Sequence, residues 1–322
     1  MRRFITTALT LLVAAFIMAG PGLADAKKPD AIRFAYQPSH ILFVVANELG
    51  WFREEFAKDG IAFDAKLFVA GPPIIEAFAG GRLDFGLVGD QPALLARANN
   101  IDVRAVGVPI SGGKSLALLV PAGKTLANIA DLRGKKVGVT VGSVGHHFLF
   151  LLLQRAGLKP SDIQQVNLLP PDIKQALEQK NLDAAVTWDP WVSTLELDGT
   201  ATKVVDAVGI KNNANAILVS GAFARDYPEL VDRALRVLIR AAGFIAEHPD
   251  QAAALAAKAT GYRLEVVAHS LPNFNYDIRL SDAVLASYEQ TAAFLRESGV
   301  LRKDVSVKDL VDTSFLERIG AQ

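Results

Sequence analysis

The chain has 322 residues, 51% of them hydrophobic, with 34 Lys and Arg against 34 Asp and Glu and no formal net charge at pH 7. That length buries a sizeable core and suits two lobes better than one, and the charge balance argues against nucleic acid or an anionic membrane surface as the main partner. The absence of cysteine excludes a disulfide framework, a thiolate metal site, a lipid-anchor cysteine and a cysteine nucleophile.

The chain opens with Arg2 and Arg3 ahead of an apolar run from Phe4 to Met18, and Leu23-Ala24-Asp25-Ala26 offers a small-x-small cleavage pattern. A signal peptide over residues 1–26, cleaved near Ala26, is expected, and with it export to the periplasm. The run is short for a membrane span and is broken by Gly20, Pro21 and Gly22, which disfavours an anchor. From Ala31 onward short β-patterned runs alternate with helical ones, the signature of an α/β protein. Strands are expected over 32–36, 63–69, 83–88, 103–108, 116–120, 136–141, 165–169, 182–188, 203–208 and 216–220. Helices fit over 39–49, 73–79, 92–99, 146–156, 172–180 and 190–196, and nearly everything after Tyr227 reads as helix, broken at His248-Pro249, Gly261 and Leu271-Pro272. No linker separates sequential domains. The pattern therefore predicts one lobe built from 27–112, a second from 113–215, and a return to the first over 216–322. Strands at 115–120 and 215–220 would act as hinges, with Gly112, Gly113 and Asn215 as hinge residues and a cleft between the lobes.

Five junctions each join a strand to a helix through Gly, Pro and small polar residues. They are Tyr36-Gln37-Pro38-Ser39, Gly71-Pro72-Pro73, Gly89-Asp90-Gln91-Pro92, Gly142-Ser143-Val144-Gly145-His146 and Trp188-Asp189-Pro190. Open α/β sheets bind ligands beyond the carboxyl ends of their strands, where such turns lie. Each helix start offers unpaired amides and the positive end of its dipole to an anionic oxygen. Pro and Gly also serve simply to stop strands and start helices. In the third junction Pro92 is expected at the first helical position, with Asp90 or Gln91 capping the free amides.

Six blocks carry a resemblance: GWFREEF (50–56), GPPIIEAFAGGRLDFGLVGDQP (71–92), LLVPAG (118–123), IADLRGKKVGVTVGSVGHHFLFLLLQRAGL (129–158), LPPDIKQALEQKNLDAAVTWDPW (169–191) and the helical C-terminus. Together, and in order, they resemble the periplasmic aliphatic-sulfonate-binding proteins of ABC importers, within the superfamily that binds sulfonate, taurine, nitrate and thiamine precursors. The resemblance implies an α/β, type II periplasmic binding protein fold, two lobes joined by two hinge strands, closing on a small organic anion and delivering it to a permease. It places the ligand loops on Gln37, Gly71, Pro72, Gly89, Asp90, Gln91, Gly142, Ser143, His146, Trp188 and Asp189. Two departures stand out. Gln91 follows the Gly-Asp pair where the family often has Thr, and Val141-Gly142-Ser143-Val144 stands where it has a Lys-Gly-Ser-Ser loop. A cation and a hydroxyl are thus missing, which leaves room for a larger or less polar ligand.

Single residues sharpen this reading. His146 and His147 are adjacent, so on a helix they point about 100° apart and do not make an i, i+4 metal pair; no metal or cofactor is expected. At a helix N-terminus His146 is placed either to donate to an anion in its neutral form or simply to face solvent. Trp188 is expected to wall an apolar part of the ligand and Trp191 to pack, while Asp189 either caps the helix at Pro190 or touches an amine. Ser111-Gly112-Gly113-Lys114-Ser115 fails as a phosphate loop, because its first glycine is misplaced and a strand follows. The resemblance also touches pyrimidine-forming enzymes of thiamine biosynthesis, which carry a cysteine-rich motif, and the chain has neither a Gly-x-Ser-x-Gly elbow nor a His-Glu-x-x-His helix. A non-enzymatic, monomeric binding protein is expected, with a ligand-sensing partner role as the alternative to transport.

Overall fold

Ten strands among the described residues, 28–301 and 305–321 of a computed structural model, sort into two five-stranded sheets. The expected signal peptide lies outside the described residues. The first sheet holds β1 (Ala31–Tyr36), β2 (Ala62–Leu67), β3 (Phe85–Gly89) and β4 (Val103–Ala105), together with β10 (Asn215–Ser220), which arrives from much later in the chain. The second holds β5 (Leu116–Pro121), β6 (Lys136–Val139), β7 (Gln164–Asn167), β8 (Ala184–Trp188) and β9 (Ala201–Asp206). Their orders are β2-β1-β3-β10-β4 and β7-β6-β8-β5-β9. Each sheet contains four strands running the same way and one antiparallel insertion, β10 between β3 and β4 and β5 between β8 and β9. Each insertion is the strand on which the chain enters that sheet from the other lobe.

Local sequence explains these strands. β3 (FGLVG) and β8 (AAVTW) are buried at every position, as expected of central strands covered by helices on both faces. In the first lobe Phe34 stacks on Phe43 at 4.3 Å and Phe52 on Phe63 at 4.7 Å between ring centroids. These rings knit β1 and β2 to α1 (Ile41–Glu48) and α2 (Trp51–Ala57). The junction helices are α3 (Gly71–Ala79), α4 (Asp90–Ala98), α5 (Val144–Arg155), α6 (Pro170–Glu178) and α7 (Trp191–Leu197). The two sheets thus present the starts of α3 and α4 in one lobe to the start of α5 in the other.

The chain passes between sheets over residues 106–115 and 207–214, and the two passages are bonded side by side. Gly112 N–H donates to Asn212 Oδ1 at 3.0 Å and Ala207 N–H to the Gly113 carbonyl at 3.1 Å. A Cβ on Gly113 would lie 2.7 Å from the backbone of Ala207 and Val208, so only glycine lets the passages run this close.

The C-terminal region supplies α8 (Gly221–Asp226), α9 (Pro228–Glu247), α10 (Pro249–Thr260), α11 (Leu264–Ser270), α12 (Asp282–Glu297), α13 (Val307–Leu310) and α14 (Ser314–Arg318). Helices α9 and α10 pack on α1, and α12 packs on α4. The sequence pattern assigns all of 216–322 to the first lobe, yet residues 262–273 dock on the second. Tyr262 meets Trp191 edge-to-face at 5.7 Å, Arg263 pairs with Asp198 at 2.7 Å, and His269 Nδ1 lies 3.0 Å from Ser193 Oγ. The chain then crosses back: Asn275 exchanges backbone hydrogen bonds with Ser111, and Val108 N–H donates to the Ile278 carbonyl. The amphipathic pattern of α11 identifies a helix and its buried side, but a buried face does not say which lobe buries it.

Candidate functional site

Between the carboxyl ends of the two sets of parallel strands lies a cavity of about 320 Å³, measured to include its opening to solvent. From the first lobe it is lined by Gln37 and Ser39 after β1, Gly71 at the start of α3, and Gly89 and Pro92 around the start of α4. The second lobe contributes Ser143 and Val144 at the start of α5 and Trp188 at the end of β8. The passages add Ile110, Asn213 and Asn215, and the C-terminal region adds Phe274. Among these no side chain carries a charge. Polar groups are amides and hydroxyls; the rest of the wall is aliphatic and aromatic. The starts of α3, α4 and α5 border this space, and their dipoles favour negative charge there; Pro72, Pro73 and Pro92 carry no N–H, and the Gln91 and Gly145 amides are taken by Asp90 Oδ1 and Ser143 Oγ. Apposition of the lobes is close: a Cβ on Gly89 would lie 2.3 Å from Val144 Cγ1.

A chain of hydrogen bonds behind the wall fixes the amides. Gln37 N–H donates to His40 Nδ1 at 3.1 Å, so the ring proton sits on Nε2, which donates to Asn215 Oδ1 at 3.1 Å. Asn215 Nδ2 donates to Asn213 Oδ1 at 3.1 Å, Asn213 Nδ2 to Ser115 Oγ at 3.1 Å, and Ser115 Oγ to the Gly112 carbonyl at 3.1 Å. Each member has a single consistent orientation. Complete burial lowers the His40 pKa to about 4, against a smaller raising influence of the Asn215 bond. Protonation would also set an Nδ1–H against the Gln37 amide. Gln37 is itself held by Nε2 donating to the Leu87 carbonyl at 3.2 Å.

The eleven residues that the resemblance places in the ligand loops separate in the structure. Gln37, Gly71, Gly89, Ser143 and Trp188 line the cavity, as does the hinge residue Asn215. Pro72 and Gly142 face one another just outside it, a Cβ on Gly142 lying 3.8 Å from Pro72 Cγ. Asp90 turns inward: its Oδ2 accepts from Lys211 Nζ at 2.5 Å and Thr291 Oγ1 at 2.6 Å, and its Oδ1 from the Gln91 amide at 2.8 Å. This corrects the expected start of α4, which begins at Asp90 with Gly89 as its N-cap and Pro92 third in the helix. With Gly89 extended as N-cap, the helix starts two residues earlier than proline statistics suggest. Gln91 is wholly buried, its Nε2 3.4 Å from His146 Nδ1, and His146 faces a separate hollow with Phe150, Gln165 and Phe294. Burial holds the His146 pKa below its ordinary value. Its neighbour His147 stacks on Phe294 at 4.4 Å and lies 3.1 Å from Thr291 Oγ1.

Asp189 takes the capping role. Its Oδ1 accepts from Ser193 N–H at 2.9 Å and Ser193 Oγ at 2.6 Å, and its Oδ2 from Asn273 Nδ2 at 2.8 Å. Burial pushes its pKa up, opposed by these bonds. Ser143 caps α5, its Oγ accepting from Gly145 N–H at 3.2 Å while donating to the Thr140 carbonyl at 2.7 Å. Sequence reasoning misses Ser39, Pro92 as a wall, Ile110, Val144, Asn213 and Phe274. The amide-rich run Asn212-Asn213-Ala214-Asn215 at the return passage is a signal for Asn213; Phe274, in Phe274-Asn275-Tyr276 after Leu271-Pro272, carries none.

The family described as NMT1/THI5 like matches residues 37–252. A protein of Bacillus subtilis (strain 168) named as an aliphatic sulfonates-binding protein is 30% identical over 316 residues, 96% of this chain and 95% of that one. The solved alkanesulfonate-binding protein SsuA from Xanthomonas axonopodis pv. citri, bound to MOPS, superposes with a TM-score of 0.83 at 29% identity, over 89% of this chain and 99% of that one. The desulfurization enzyme DSZB superposes with a TM-score of 0.69 at 19% identity, over 90% of this chain and 98% of that one; this likeness is one of fold alone.

Proposed function

The chain belongs to the NMT1/THI5-like family, and on that premise we propose that it is the periplasmic solute-binding component of an ABC importer, capturing an aliphatic sulfonate or similar small organic anion by lobe closure. One observation carries the reading: an uncharged cavity at the carboxyl ends of the strands of both lobes, bordered by three helix starts. A sulfonate has three oxygens and one negative charge spread over them, a match for several backbone amides and neutral side-chain donors around one point. Gln37, Ser39, Asn213 and Asn215 would complete the polar end, and Trp188, Ile110, Val144 and Phe274 would enclose the tail. Closure would be a population shift toward the form in which both lobes touch the ligand. Export on the N-terminal signal segment and transfer to a permease complete the role.

Binding without turnover is supported by the fate of the hydroxyl at the α5 start. Ser143 Oγ is committed to a carbonyl and an amide of its own turn, whereas a nucleophilic serine needs a base hydrogen-bonded to it. Titration calorimetry against linear alkanesulfonates, taurine, sulfate and nitrate tests the assignment. Tight binding of one or more alkanesulfonates, with the ligand recovered unchanged, is expected; binding confined to sulfate or nitrate would reject it.

A further inference from the structure

We infer that Phe274 is the residue that sets the size of the ligand's apolar tail, and that the Asp189–Asn273 hydrogen bond positions it. The inference rests on the reading of the cavity as a sulfonate site.

Phe274 is the one lining residue, among those described, that comes from the chain beyond β10. It is 8% exposed and sits in the return segment after Leu271–Asn273. Three contacts pin that segment to the second lobe just ahead of it. They are the Tyr262–Trp191 ring pair, the His269–Ser193 bond, and the 2.8 Å bond from Asn273 Nδ2 to Asp189 Oδ2. The last is the most telling, because Asp189 follows Trp188 and Asn273 precedes Phe274. One half-buried, charge-assisted bond therefore fixes two aromatic walls of the same cavity relative to each other. Immediately beyond Phe274 the backbone is tied to Ser111 by paired hydrogen bonds of 2.9 and 2.8 Å, and Tyr276 OH donates to the Leu271 carbonyl at 3.1 Å. The ring is thus held from both sides in sequence. Its site is built on neither lobe's sheet, so its identity can change the space available to a tail without touching the helix starts that would hold the head.

The test is calorimetric titration of the wild type, Phe274→Ala, Phe274→Leu and Asn273→Ala with linear alkanesulfonates of increasing chain length. The wild type is expected to bind best at one length and to lose affinity beyond it. Phe274→Ala should move that optimum to longer chains, each newly buried methylene strengthening binding by roughly fourfold. Phe274→Leu should move it less. Asn273→Ala, which keeps the ring but frees its support, should broaden the optimum in the same direction. Should the alanine variant fail to melt cooperatively, the leucine and Asn273 variants give the same readout. A uniform weakening across all lengths, the mark of a merely structural role, would overturn the inference while leaving the sulfonate reading intact; failure of the wild type to bind any member overturns both.

Discussion

At the residue scale the cavity wall depends on groups that never touch it. Lys211 and Asp90 are both shielded from solvent, and the carboxylate is fully satisfied by Lys211, Thr291 and the Gln91 amide. A buried pair contributes little against an apolar replacement of both partners, but removing one leaves an uncompensated charge. Lys211→Met is therefore expected to cost about 3–5 kcal/mol in chemical denaturation, while Lys211→Met combined with Asp90→Leu should recover much of it. His40 gives a pH dependence. Its folded pKa of about 4 lies below the ordinary 6.5, so between those values the unfolded chain holds a proton that the folded one does not. Stability should be fully present above that window and fall as the pH drops through it, by on the order of 3 kcal/mol from this group. Buried His147, whose pKa burial and the Lys211 charge also lower, acts in the same direction. Thermal melts across the window check this, and His40→Asn should make the fall shallower.

Elements explain what the sequence can and cannot disclose. All ten strand positions and the helices α1 and α3–α7 are legible, because short apolar runs such as FGLVG and AAVTW, bounded by turn residues and too short for helices, read as buried strands; α2 (Trp51–Ala57) is not. The five junctions are equally legible from their Gly and Pro, and all five supply cavity residues through Gln37, Gly71, Gly89, Ser143 and Trp188. Orientation within a junction is not. Asp90 and Gln91 belong to the same turn as Gly89, yet Gln91 reaches toward His146 of the second lobe and Asp90 turns into the first, because Lys211 and Thr291, distant in sequence, offer Asp90 better partners than a ligand cleft does. Periodicity cannot reveal a partner 121 or 201 positions away. At Ser143 local chemistry does decide: the hydroxyl caps α5 as an N-cap serine should. Ser143→Ala is expected to cost about 1 kcal/mol of stability, measured by thermal denaturation, with the ligand's tail preference unchanged.

Over the whole molecule, two sheets of like topology close around a single proposed anion site that uses no side-chain cation. The lobes meet where glycine permits it. With a Cβ on Gly89 directed at Val144 Cγ1, Gly89→Ala should prop the lobes apart, weakening ligand affinity at least tenfold while leaving the melting temperature of the ligand-free protein nearly unchanged. Small-angle scattering should then show less compaction on adding ligand than the wild type does. The C-terminal region adds a third tie between lobes, through residues 262–278, and so couples closure to a segment outside both sheets.

The central claim is that neutral donors and helix starts, without a charged side chain, hold the head group. Calorimetric titration of the wild type with its best alkanesulfonate at low and at high salt tests this most directly. Buried neutral donors are barely screened, so strong binding is expected, with an affinity that changes less than about threefold with salt. Binding that collapses as salt rises would place the anion on exposed cations outside the cavity and contradict the claim.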